Sequence, residues 1–100
     1  MIGDENILAN FLSEEALLEQ LLEECGELVQ AASKRLRILR GENWTPCSAD
    51  ANFDNVREEL ADVGLCMDVY REKAGIEATE FFGMKESKCA RWMHRLGIGS

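Results

Sequence analysis

Three features of this 100-residue chain predict an all-α fold. Two long segments carry apolar residues at helical spacing, no segment sustains the alternation of a strand, and the helix-breaking residues gather at a few places. Together they predict a helical bundle in one domain over residues 1–100. A chain this short buries a modest share of its surface, so the core is expected to be completed by oligomerisation.

The elements follow in order. Ile7-Leu8 and Phe11-Leu12 predict an extra N-terminal turn. The first long helix is expected from about Ser13 to Arg40, with Leu17, Leu18, Leu21, Leu22, Cys25, Leu28, Val29, Ala32, Leu36 and Leu39 in one broad stripe. Gly41 is a natural helix stop and Ser48 a natural N-cap. The segment between them, with the only proline at Pro46, is therefore the main linker. A second helix runs from about Ala49 to Ala74, its stripe formed by Phe53, Val56, Leu60, Val63, Met67 and Tyr70. Gly75 ends it, and a last helix spans about Ile76 to Leu96, with a further possible break at Gly83.

Composition narrows the function classes. A 46% hydrophobic content suits a folded chain rather than a disordered one. The formal net charge of −8 argues against binding to a nucleic acid polymer, which needs a basic footprint. It leaves room for a nucleotide, because a bound cation reverses the sign of a site locally. Cys25, Cys47, Cys66 and Cys89 form no CxxC pair and no zinc-ligand spacing. The N-terminus is acidic at Asp4 and Glu5, so no signal peptide is expected, and no apolar run reaches membrane-spanning length. The expectation is a reduced, cytoplasmic protein with no membrane partner.

The chemistry is concentrated in two similar segments, Glu23-Glu24-Cys25-Gly26-Glu27-Leu28 and Glu58-Glu59-Leu60-Ala61-Asp62-Val63. Each reads Glu-Glu-x-x-acid-aliphatic, once per long helix. Residues three apart are neighbours on a helix surface, so Glu24 and Glu27 present two carboxylates together, as do Glu59 and Asp62. At about 100° per residue, Glu24 falls beside Leu17, Leu28 and Ala31, and Glu59 beside Val63, Cys66 and Tyr70. Both stand at the border of an apolar stripe. Packing the stripes draws four like charges toward one partly buried place, where each carboxyl has a raised pKa unless a cation joins them. Mg2+ suits such an oxygen-rich site and shares its coordination readily with phosphates. An isolated acidic pair is ordinarily only a solvated face, and the non-enzymatic alternative is an acidic helical interaction module that occupies a basic partner.

The runs Leu22-Glu23-Glu24-Cys25-Gly26-Glu27-Leu28-Val29-Gln30-Ala31 and Asn55-Val56-Arg57-Glu58-Glu59-Leu60-Ala61-Asp62-Val63 resemble the all-α nucleoside triphosphate pyrophosphohydrolase superfamily. The MazG-like branch is the most similar, alongside the dimeric dUTPases and dCTP pyrophosphatases. The shared signature is EExxE, a variable linker, then ExxD, and the resemblance extends from about Leu17 to Leu96. It implies the bundle of that superfamily, Mg2+ (with Mn2+ as a substitute) ligated by Glu24, Glu27, Glu59 and Asp62, and cleavage of a nucleoside triphosphate to the monophosphate and pyrophosphate. It implies a homodimer or homotetramer, since the family builds its four-helix cores between chains. Glu24 carries a catalytic role as ligand, and Glu23 one in orienting water. Asn55, one turn before Glu59, resembles an asparagine that contacts substrate. Lys88-Cys89-Ala90-Arg91-Trp92 resembles a C-terminal basic segment that contacts phosphates, which assigns Lys88 and Arg91 to the substrate; some members have asparagine near Lys88. A solvated basic face explains the same two residues without a ligand. Trp44, in a linker longer than is usual for the family, is a candidate cap for a base. Trp92, Phe81 and Phe82 are read as core or interface.

Overall fold

The computed structural model describes residues 3–42 and 48–99. They form four helices in chain order: α1 (Asp4–Phe11), α2 (Glu14–Leu39), α3 (Ala49–Ala74) and α4 (Ala78–Arg95), with no strand among the described residues. The linker residues 43–47, Trp44 included, lie outside the described residues.

Local chemistry accounts for the ends of the long helices. Ser13 and Ser48 stand in extended conformation as N-caps, their hydroxyls accepting from the N–H of Ala16 and Ala51, each at 3.1 Å. At its other end α3 stops at Gly75, which takes the left-handed φ of 72° while the Ile76 N–H reaches back to the Arg71 carbonyl at 2.9 Å. Gly41, with φ 64°, closes α2 in the same manner through the Glu42 N–H and the Arg37 carbonyl at 3.0 Å.

Two boundaries differ from the sequence expectation. The N-terminal turn is a complete eight-residue helix, α1, because it packs on α3: Ala9 is buried, and the Asn6 amide donates to Glu72 at 2.8 Å. Gly83 does not interrupt α4. A single interior glycine costs a helix about 1 kcal/mol, which the adjoining turns outweigh.

α2 and α3 share the main packing seam, and α1 lies against α3. The buried core is small: Ala9, Leu17 and Val69 form its cluster, with Leu12 and Tyr70 packed around them. Further along the seam, Ala31 and Asn52 are buried, and the Asn52 amide donates to the Ala31 carbonyl at 3.3 Å. Arg35 closes that end, donating to the Ala49 carbonyl at 3.2 Å and lying 5.3 Å over the Phe53 ring. At the opposite end the Tyr70 hydroxyl donates to Glu14 at 2.8 Å.

The broad apolar stripes divide on folding. Leu17, Leu21, Cys25 and Leu28 turn into or beside the seam, whereas Leu22, Val29, Leu36 and Leu39 of α2, and Phe53, Leu60 and Met67 of α3, remain exposed. One helix can bury only one face against one neighbour, and these stripes are wider than that. α4 buries no residue; it is tied to α3 at its base, where the Arg71 guanidinium lies 5.0 Å over the Phe81 ring and holds Asp68 at 2.9 Å.

Candidate metal centre

The seam places acids where its apolar packing is interrupted. Glu24 and Glu27, three residues apart on α2, face Glu59 of α3, and one carboxylate oxygen of each lies within 4.8 Å of the others. The helical spacing makes the first pair neighbours, and the α2–α3 seam supplies the third carboxylate.

The two central acids are not ordinary surface carboxylates. Glu24 Oε1 accepts from the Gln20 side-chain amide at 2.9 Å, whereas Glu24 Oε2 and Glu59 Oε2 are buried without a hydrogen-bond partner. Burial first, then the charges of Glu27 and Asp62, push the Glu24 carboxyl above the usual carboxylate range; the Gln20 hydrogen bond opposes this in part. Glu59 is raised likewise by burial, then by Glu27, Asp62 and Glu24, and by a hydrogen bond with Glu27. Among the described residues the ion pairs are Arg57 with Asp54 and Arg71 with Asp68, so neither central acid is neutralised by a lysine or arginine. Buried oxygens that lack a donor and repel one another match a hard divalent cation, which takes several oxygen ligands and cancels the repulsion.

Asp62 stands beside this trio rather than within it. It is exposed on α3, one turn beyond Glu59, close enough to raise both central carboxyls. With Glu24 it also edges a hollow of about 300 Å³ between α1, α2 and α3. Glu23 is exposed next to Glu24 and adds to its raised pKa, and Asn55 is exposed one turn before Glu59. Lys88 and Arg91 are not brought to the acids within the chain: the hollow they edge is built from α4 alone, with Lys85, Cys89, Trp92 and Arg95.

Two residues of this region escaped the sequence reading. Gln20 sits one turn before Glu24 on the same face, so its link to Glu24 was available from spacing. Asn52 gave no signal, since only the approach of the two helices buries it. Cys66 also lines the hollow; burial first, then Glu24, Asp62 and Cys25, push its thiol up, in keeping with an inert packing role.

The MazG nucleotide pyrophosphohydrolase domain matches residues 12–86, a span that takes in α2, α3 and the first half of α4. It includes Glu23, Glu24, Glu27, Asn55, Glu59 and Asp62, and ends before Lys88 and Arg91. No curated protein and no solved structure matches the chain.

Proposed function

The chain belongs to the MazG nucleotide pyrophosphohydrolase domain family, and from that premise we propose that it hydrolyses a nucleoside triphosphate to the monophosphate and pyrophosphate with Mg2+, for which Mn2+ substitutes. The observation that carries this reading is the pair of buried, unpartnered oxygens, Glu24 Oε2 and Glu59 Oε2, in a group of three carboxylates.

Glu24, Glu27 and Glu59 would hold the metal, with Asp62 completing the set from the rim. When bound, the cation neutralises charge on the phosphates, lowers the pKa of water and holds both reactants in place. The chain's own groups do the rest. Glu23, exposed beside the cluster, orients the attacking water and takes its proton. The water oxygen bonds to the α-phosphorus, the bond from that phosphorus to the bridging oxygen breaks, and pyrophosphate leaves. Asn55 contacts the substrate from the same face of α3. Lys88 and Arg91 complement the phosphate oxygens.

Assembly belongs to the same proposal. Phe82, Met84, Trp92 and Met93 are exposed on α4, Leu96 just after it, and Leu22, Val29, Leu36 and Leu39 on α2. Apolar surface on this scale is what a second copy covers in a homodimer or homotetramer. Packing between copies also supplies a route by which α4 of one chain reaches the acids of another, which it does not do in its own chain. No described helix is long and apolar enough to cross a membrane. A reduced, cytoplasmic protein belongs to the same proposal, and the free cysteines Cys25, Cys66 and Cys89 suit it.

An acidic interaction module, the competing function, would keep its acids at the solvent face; the inward placement of Glu24 and Glu59 favours the enzyme. Product analysis on a panel of nucleoside di- and triphosphates with Mg2+ tests the reading. Monophosphate and pyrophosphate in equal amounts are expected from a triphosphate. Release of inorganic phosphate alone, or no cleavage of any member, overturns it.

A further inference from the structure

The hollow beside the acids has a composition unlike the cluster itself. Leu8 of α1, Leu12 just after it, Leu17 of α2, and Leu65, Cys66 and Val69 of α3 line it, with Glu24 and Asp62 at one side. Its volume of about 300 Å³ lies at the small end of ligand pockets, enough for one base and part of a sugar. The lining holds no aromatic ring, so an occupant gains nothing from stacking. Beside the weakly bonding thiol of Cys66, the uncharged hydrogen-bonding side chain in the lining is the amide of Gln20.

That amide is oriented by one hydrogen bond. Gln20 Nε2 lies 2.9 Å from Glu24 Oε1. This bond turns the amide nitrogen to Glu24 and leaves the carbonyl oxygen and the second N–H for an occupant. A free glutamine side chain turns over to match either pattern on a base edge. Here the bond to Glu24 favours one placement of the carbonyl oxygen and the remaining N–H. Adenine and cytosine carry an amine donor beside a ring-nitrogen acceptor. Exchange of the amine for an oxygen, as in hypoxanthine and uracil, inverts the pattern on the same outline. An amide oriented in this way satisfies one pattern and opposes like groups in the other.

We propose that Gln20, pinned by Glu24, is the specificity-determining residue that separates amino-bearing from oxo-bearing bases in the hollow. The inference rests on the pyrophosphohydrolase reading above and adds the chemical class that this site distinguishes.

Paired substrates test it: cytidine against uridine triphosphate, and adenosine against inosine triphosphate, with the wild-type chain and Gln20→Met. The variant keeps the side-chain length and the apolar hollow but removes both hydrogen-bonding groups. The wild type is expected to favour one member of each pair on the order of 10-fold in kcat/KM, the scale of one or two net hydrogen bonds. Gln20→Met is expected to bring the ratio within each pair close to one. A general loss from slackening Glu24 lowers both members equally and leaves the ratio untouched, so a merely structural role for Gln20 does not move this readout. Equal treatment of both pairs by the wild type, or a preference that survives in Gln20→Met, overturns the inference. Equilibrium binding of the α,β-methylene analogues of the same four nucleotides, with Mg2+, gives the same ratios without turnover. Selective binding without cleavage therefore refutes the catalytic reading alone, and cleavage without selectivity refutes the role of Gln20 alone.

Discussion

Glu59→Gln removes one charge from the carboxylate trio and leaves the side-chain size unchanged. In the metal-free protein Glu59 Oε2 is buried without a donor, and the group lies within 4.8 Å of Glu24 and Glu27. The neutral amide lifts part of the mutual repulsion and offers N–H groups to neighbours that need them, so the metal-free melting temperature should hold or rise. Mg2+ reverses the ranking. A wild-type site held at one hundred times its Kd gains about 2.7 kcal/mol by mass action. At about 4–8 °C per kcal/mol for a domain of this size, that is a rise of roughly 10–20 °C. Loss of groups that merely support a ligand costs about 10–100-fold in metal affinity, so loss of the ligand itself should cost about 100-fold or more. The same Mg2+ concentration then only equals the variant's Kd, worth about 0.4 kcal/mol or roughly 2–3 °C. Scanning calorimetry of both proteins, with Mg2+ and with sodium at matched ionic strength and one protein concentration, measures the difference. Pyrophosphohydrolase activity should fall by about 100-fold or more in parallel. A variant that melts lower without metal, yet gains as much from Mg2+ as the wild type, would refute the reasoning.

The remaining predictions concern protons, phosphates and assembly. Glu24 and Glu59 have folded-state pKa values raised above their unfolded ones, first by burial. Their contribution to stability is present below the ordinary carboxylate pKa and is lost as pH rises through the raised folded values. The melting temperature in chelator should therefore carry a downward component with rising pH through that window, shallower in Glu59→Gln, while Mg2+ stabilises increasingly over the same range; identical pH profiles for the two proteins would contradict this. Arg91→Ala should raise KM for a triphosphate and leave the Mg2+-induced melting shift intact, whereas unchanged kinetics would return the residue to a solvated basic face. Light scattering should give a mass of at least two chains, and a monomer at working concentrations would contradict the proposed assembly.

Much of this architecture was legible along the chain, and particular residues show why. Ser13, Gly41, Ser48 and Gly75 act on hydrogen bonds within one turn of themselves, so the ends of α2 and α3 are written in their immediate neighbourhoods. The three-residue spacing of Glu24 and Glu27 was equally local, and the wheel position of Glu24 beside Leu17 and Ala31 already set it at the edge of the seam. Other features depend on how one helix is rotated against the next. The stripe from Leu17 to Leu39 was wide enough to face several ways; contact with α3 selected Leu17, Leu21, Cys25 and Leu28 and left Leu22, Val29 and Leu36 outside. That same rotation put Glu59 with Glu24 and Glu27, held Asp62 at the rim, buried Asn52 against the Ala31 carbonyl and left α4 beyond the acids. Caps and periodicity are decided by interactions over three or four residues, whereas convergence of side chains more than thirty residues apart is a product of tertiary packing, which alone chooses among the faces an amphipathic helix offers.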